Sequence, residues 1–156
     1  MLFRSFGACL EFIQYFGYMD TALAAEMGIS WLAPTQQLSL MGRYSSAAFL
    51  PLNTITQGNI LEPMLSGLYL ISLDYTARLH RSLSLGLESV YFIQSYVYDS
   101  EGRFWGAEVF GSFFWNPFSD LSINLGAGAF FPSLGNAVPN TDVLWRIRLN
   151  VIISFL

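Results

Sequence analysis

The sequence predicts an all-β chain, an antiparallel up-and-down transmembrane β-barrel of eight strands occupying residues 1–156 as a single domain. Three observations predict it. Apolar and polar residues alternate with period two over most of the chain. Successive side chains of a strand point to opposite faces, so that period is the signature of a strand. Apolar or aromatic residues recur ten positions apart on one face, and short connections alternate with long ones.

The amino end has three readings. Leu10, Phe12, Phe16 and Tyr18 suit a strand over 10–18, although Gln14 falls on that face. Phe3, Phe6, Leu10 and Ile13 instead fit a helical stripe. Residues 1–4 with Ala22-Leu23-Ala24 resemble the two ends of a signal peptide, but Glu11 and Gln14 interrupt the apolar stretch between them.

The other seven strands follow in order. Leu23, Ala25, Met27, Ile29 and Trp31 alternate with Ala24, Glu26, Gly28 and Ser30. Leu38, Leu40, Gly42 and Tyr44 alternate with Ser39, Met41, Arg43 and Ser45. Tyr69, Ile71, Leu73 and Tyr75 oppose Ser72, Asp74, Thr76 and Arg78. Leu83, Leu85 and Leu87 oppose Ser84, Gly86 and Glu88, after which the pattern blurs. Over 105–115, Ala107, Val109, Gly111 and Phe113 oppose Gly106, Glu108 and Ser112. Leu121, Ile123, Leu125, Ala127 and Ala129 oppose Ser122, Asn124, Gly126 and Gly128. The last strand is the clearest, with Val143, Trp145, Ile147, Leu149, Val151, Ile153 and Phe155 against Arg146, Arg148, Asn150 and Ser154. Turns rich in Gly, Pro, Asn and Asp fall at 17–20, 34–35, 99–102 and 116–120, with a further reversal at 79–81. Longer loops occupy 50–63 and 132–142.

A soluble β-sandwich also alternates, so the membrane expectation rests on further features. The charged residues of the strands, Glu26, Arg43, Asp74, Arg78, Glu88, Glu108, Arg146 and Arg148, all oppose the apolar set. Their face is balanced in sign, lacks lysine and is rich in Gly, Ser, Phe and Leu, as suits a confined interior. Ten strand residues at a tilt near 40° rise roughly 25 Å, the height of the apolar band of an outer-membrane barrel. Pairs such as Trp105 with Trp115 and Trp145 with Phe155 span that height. Trp31, Tyr69, Trp105, Trp115, Trp145 and Phe155 are therefore the expected membrane-interface aromatics. Short turns on one side and long loops on the other place both termini on the short-turn side.

The stretch from Trp105-Gly106-Ala107-Glu108 through Phe155 resembles the carboxy-terminal half of bacterial outer-membrane β-barrel proteins. The resemblance implies residence in the bacterial outer membrane and contact with its lipid. It also implies recognition of the last strand by the barrel-assembly machinery, through a terminal aromatic residue. Here that residue is Phe155, followed by Leu156, a one-residue departure from the usual ending. The resemblance is architectural and selects no single family.

Composition excludes several functions. All seven basic residues are arginine, the net charge is −4 and no basic stripe is present, which argues against nucleic-acid binding. The single Cys9 permits no internal disulfide and no Cys pair for a metal. His80 is the one histidine; it lies in a turn beside Arg81 and Ser82, away from any carboxylate in sequence. No catalytic residue, metal site or cofactor is expected.

An eight-stranded barrel is filled by its own side chains. The four acids and four arginines of the strands are then expected to form ion pairs across the lumen, with Arg146 and Arg148 as hubs. The loop acids Asp20, Glu62, Asp99, Glu101 and Asp142 are expected outside. Such a barrel has a structural or envelope role or forms a narrow gated pore. The alternatives are a porin or transporter piece of a wider barrel, completed by further strands or another chain, and a soluble β-barrel binder of small ligands.

Overall fold

A computed structural model describes residues 3–14 (backbone only), 21–49, 58–63, 66–95, 102–137 and 142–154. Seven strands with described side chains form one antiparallel up-and-down sheet. They are β2 (Thr21–Leu32), β3 (Gln36–Ser45), β4 (Leu68–His80), β5 (Leu83–Gln94), β6 (Phe104–Phe118), β7 (Leu121–Phe131) and β8 (Leu144–Ile153). The backbone of β1 (Phe3–Gln14) runs beside β2, with Phe3 opposite Leu32 and Gln14 opposite Thr21. This ladder starts earlier than the predicted 10–18 segment, whose last residues lie outside the described part.

Each strand pairs with its neighbours in sequence, because two-stranded reversals are the shortest way to satisfy backbone N–H and C=O groups. The β2–β3, β4–β5 and β6–β7 turns are short and lie at one end of the sheet. The connections between β3 and β4, β5 and β6, and β7 and β8 are longer and lie at the other. The sequence predicts closure into a barrel. Among the described residues no ladder joins β8 to β1, and the sheet stays open along β8.

Alternation sorts side chains as the sequence requires. Met27, Ile29, Leu40, Ile71, Leu73, Leu87, Val109, Leu125, Ile147 and Leu149 stand exposed on one face. The opposite, inner face carries most of the buried residues. Its main cluster joins Leu68 and Leu70 of β4, Val90 and Phe92 of β5 and Phe130 of β7. Phe92 and Phe130 meet edge to face with centroids 6.1 Å apart, although β6 runs between their strands. Gly106, opposite Phe92 on β6, makes room for that approach, since a Cβ there would lie 3.1 Å from Phe130 Cζ. Glycines of β7 make room in the same way for Phe110. A Cβ on Gly126 would lie 2.6 Å from Phe110 Cζ, so only a glycine there lets the Phe110 ring lie flat over β7. A smaller cluster packs Ala22 and Ala24 against Phe49, so the signal-like Ala22-Leu23-Ala24 is part of β2.

One strand breaks the simple alternation. On β6, Phe104 faces Ile93 and Gly106 faces Phe92, leaving Trp105 as the extra residue of a β-bulge. Gly106 sits at φ +137°, a conformation that glycine alone adopts readily. The bulge turns Trp105 onto the inner face, where it packs against the Phe92–Phe130 cluster and donates from Nε1 to Gln94 Oε1 at 3.3 Å. The expectation that Trp105 belongs to an outward aromatic belt is therefore corrected. Phe104 takes the outward place, beside Tyr91.

Candidate functional site

The candidate site is the inner face together with residues 58–63 of the β3–β4 connection. That segment lies against β5, β6 and β8, and both its backbone and its side chains supply the contacts. Glu108 of β6 is 1% exposed, and its two carboxylate oxygens accept from the backbone N–H of Asn59 and of Leu61, the latter at 3.1 Å. Asn59 Nδ2 donates to Glu88 Oε2 of β5 at 2.6 Å. Arg146 Nη1 of β8 donates to the carbonyl of Asn59 at 2.6 Å. A buried carboxylate that accepts two N–H groups and a carbonyl that receives a guanidinium are charge-assisted contacts, about twice as strong as neutral ones.

Gly58 allows the segment to enter. It sits at φ +78°, and a Cβ there would lie 2.9 Å from Phe92 Cζ and 3.0 Å from Glu108 Oε2. Glycine is required both by the backbone and by the space.

The segment ends at Glu62, whose carboxylate oxygen Oε1 is shared by Arg146 Nη1 and Arg148 Nη2, the latter at 3.0 Å. Arg146 and Arg148 are two residues apart on β8, so both point to the inner face. The Arg146 hydrogen bond is the main reason that the Glu62 carboxyl is held below its ordinary value, and the charge of Arg148 adds to it. Arg148 also lies over the Phe110 ring, 6.0 Å from its centroid.

The remaining predicted charges divide. Glu26 and Arg43 are opposite one another on β2 and β3 and pair at 2.7 Å. Asp74 is opposite Glu88 and accepts from Ser72 Oγ at 3.3 Å. Arg43, Ser72, Asp74 and Glu88 line a polar cavity of about 130 Å3. A second cavity, of about 190 Å3, lies among Asn59, Glu88, Ser112, Asn124 and Arg148. Asn124 Oδ1 faces no hydrogen-bond partner among the described residues.

Three expectations are corrected here. Arg78 is exposed at the short-turn end and donates to the carbonyl of Arg81 at 3.3 Å, apart from the other inner charges. Glu62 was expected outside with the loop acids, yet it is the partner of both β8 arginines. The strand acids Glu88 and Glu108 meet donors of the loop, where ion pairs with strand arginines were expected. An acid in a loop carries no periodicity, so alternation could not assign it a face. The Gly58-Asn59 pair ahead of it was the available signal of a tight backbone approach.

The aromatics also divide by position. Trp145 is 74% exposed on the outward face near the long-loop end, where Tyr69 is exposed beside Tyr44, with ring centroids 4.5 Å apart. Trp115 is exposed at the short-turn end, and Trp31 is half-buried at that end. Phe155 lies outside the described residues. His80 is exposed and its Nδ1 lies 3.2 Å from Ser82 Oγ. Among the described residues no three His, Cys, Asp or Glu side chains gather as a metal site.

Comparison with protein families, with characterised proteins and with solved structures yields no match.

Proposed function

We propose that this chain is a β-barrel of the bacterial outer membrane, with a polar lumen shut at rest by residues 58–63. The observation that carries this is the inverted sorting of side chains. Large apolar residues stand exposed along strand after strand, while Glu108, Glu88, Arg146 and Arg148 lie inside. A water-soluble fold gains by the opposite arrangement, at about 25 cal/mol per Å2 of apolar surface removed from water. Hydrocarbon reverses that preference.

In hydrocarbon, unpaired N–H and C=O groups along β1 and β8 would each cost several kcal/mol, so the two edges join. Outer-membrane lipid is then the partner of the outward face, and the barrel-assembly machinery is the partner of the last strand during insertion. The aromatics Tyr44, Tyr69, Tyr91 and Trp145 lie toward one end and Trp31, Trp115 and Phe118 toward the other, as two interfacial girdles require. The lumen, filled by Phe92, Phe110, Phe130 and the loop, makes the barrel an envelope element or a narrow pore that is closed until the loop moves.

Single-tryptophan variants reconstituted with brominated lipid test this. Trp115 and Trp145 emission is quenched and Trp105 emission is spared. Full solubility without detergent, with no quenching at Trp145, would refute the membrane reading. The open edge of β8 also favours a second reading, a wider barrel completed by another chain. Cysteine cross-linking between β1 and β8 separates the two: products within one chain support the small barrel, and products between chains support the wider one.

A further inference from the structure

Arg146 and Arg148 aim two guanidinium groups at a single oxygen, Glu62 Oε1. Two cations converging on one carboxylate oxygen make a site built for an oxyanion, with Glu62 as its present occupant. Three features make that occupant displaceable. Glu62 sits at φ +46°, a left-handed conformation that a non-glycine residue holds only when its contacts require it. Its side chain is 36% exposed, and those of both arginines are 39% exposed, so a solute has access. A cavity of about 190 Å3 borders Arg148 and gives room for a small hydrated ion. With Glu62 in place the three side chains carry a net charge of +1, from two cations and one anion; with Glu62 displaced the arginines carry +2.

We propose that Arg146 and Arg148 form a binding site for a soluble oxyanion, of the phosphate or carboxylate class, from which the incoming anion displaces Glu62. Planar guanidinium forks match such oxygens, and a side chain on rigid β8 keeps the two forks in register. Displacing Glu62 removes one of the anchors of residues 58–63, so anion binding and the loosening of the segment are linked. Glu108 and Glu88 stay bound to Asn59 and Leu61, so the link is partial. The site rests on the geometry of β8 and the loop and needs no passage across a membrane.

The test uses the full chain in non-ionic detergent and inorganic phosphate, with binding followed by calorimetry. Glu62→Ala binds phosphate at least tenfold more tightly than the unsubstituted protein. Adding Arg148→Gln to that variant abolishes the gain. In the unsubstituted protein, phosphate accelerates hydrogen exchange at the Leu61 and Glu62 amides at least threefold, while potassium chloride of equal ionic strength does not. An unchanged affinity in Glu62→Ala would overturn the proposal. So would a gain that survives Arg148→Gln, an exchange response to chloride alone, or a response only to micelles containing phosphatidylglycerol, which would assign the arginines to a lipid headgroup. Because the assay runs in detergent, its failure leaves the tryptophan-quenching result standing, and the converse holds.

Discussion

Replacing Glu108 with alanine isolates the anchor of the loop segment. Its carboxylate accepts from the backbone N–H groups of Asn59 and Leu61 and is 1% exposed, so the substitution leaves two enclosed donors without an acceptor. Hydrogen bonds to a charged group contribute about 1.5–3 kcal/mol each, and an orphaned donor costs about 1–3 kcal/mol. Removing the carboxylate also removes its own desolvation cost, and water entering from the neighbouring cavity can serve part of the need. The net loosening of the docked segment is then about 2–4 kcal/mol, which corresponds to roughly 30- to 900-fold in the docking equilibrium. Hydrogen exchange at the Asn59 and Leu61 amides, read by mass spectrometry or NMR in detergent, measures it directly. Protection at these two amides falls by that factor, while protection in the middle of β4 and β5 is retained. Glu26→Ala is the control, because Glu26 pairs with Arg43 on β3 and makes no hydrogen bond to the segment. A change of less than about threefold in Glu108→Ala would show that the segment is held by something other than this carboxylate.

Two further outcomes follow from single groups. Glu62 is held below its ordinary carboxyl value by Arg146 and Arg148, so its contribution to docking is complete above the unfolded carboxylate value and is lost as pH falls through the lowered folded value. Carbon-detected NMR titration of the Glu62 carboxyl checks this, and a midpoint at or above the ordinary value would refute the pairing. Gly106→Ala places a Cβ against the carbonyl oxygen of Phe131 at φ +137°, which the bulge cannot hold. The variant loses about 1–3 kcal/mol of stability or turns Trp105 outward, seen as loss of stability or as altered Trp105 emission in a single-tryptophan background. An alanine variant that matches the parent in both would refute the bulge.

Much of the fold was legible in the residues. The strands from β2 to β8 fall where period-two alternation placed them, and Gly126 and Gly128 were legible as residues of the face opposite the apolar set, where the Phe110 ring lies. Arg146 and Arg148 were legible as a pair, because two positions apart on a strand means the same face. Trp105 was misplaced because alternation assumes an unbroken ladder. The isolated Gly106 beside it is a known mark of a bulge, but only the pairing of Phe104 with Ile93 and Gly106 with Phe92 shows which residue is extra. Arg78 was misplaced because its long side chain reaches past its own strand to the carbonyl of Arg81.

The sequence by itself determined which residues share a face, since that depends only on the geometry of successive peptide units. It also determined that the strands joined at 34–35, 79–81 and 116–120 run antiparallel, since those turns leave too few residues for a crossover. What occupies the inner face was decided by the tertiary structure alone. Residues 58–63 have no period, and their place comes from contacts with partners as far off in sequence as Glu108, Arg146 and Arg148. Each of these contacts brings a group of the segment within about 3 Å of a side chain on β5, β6 or β8, a proximity that the folded sheet creates and no local pattern encodes.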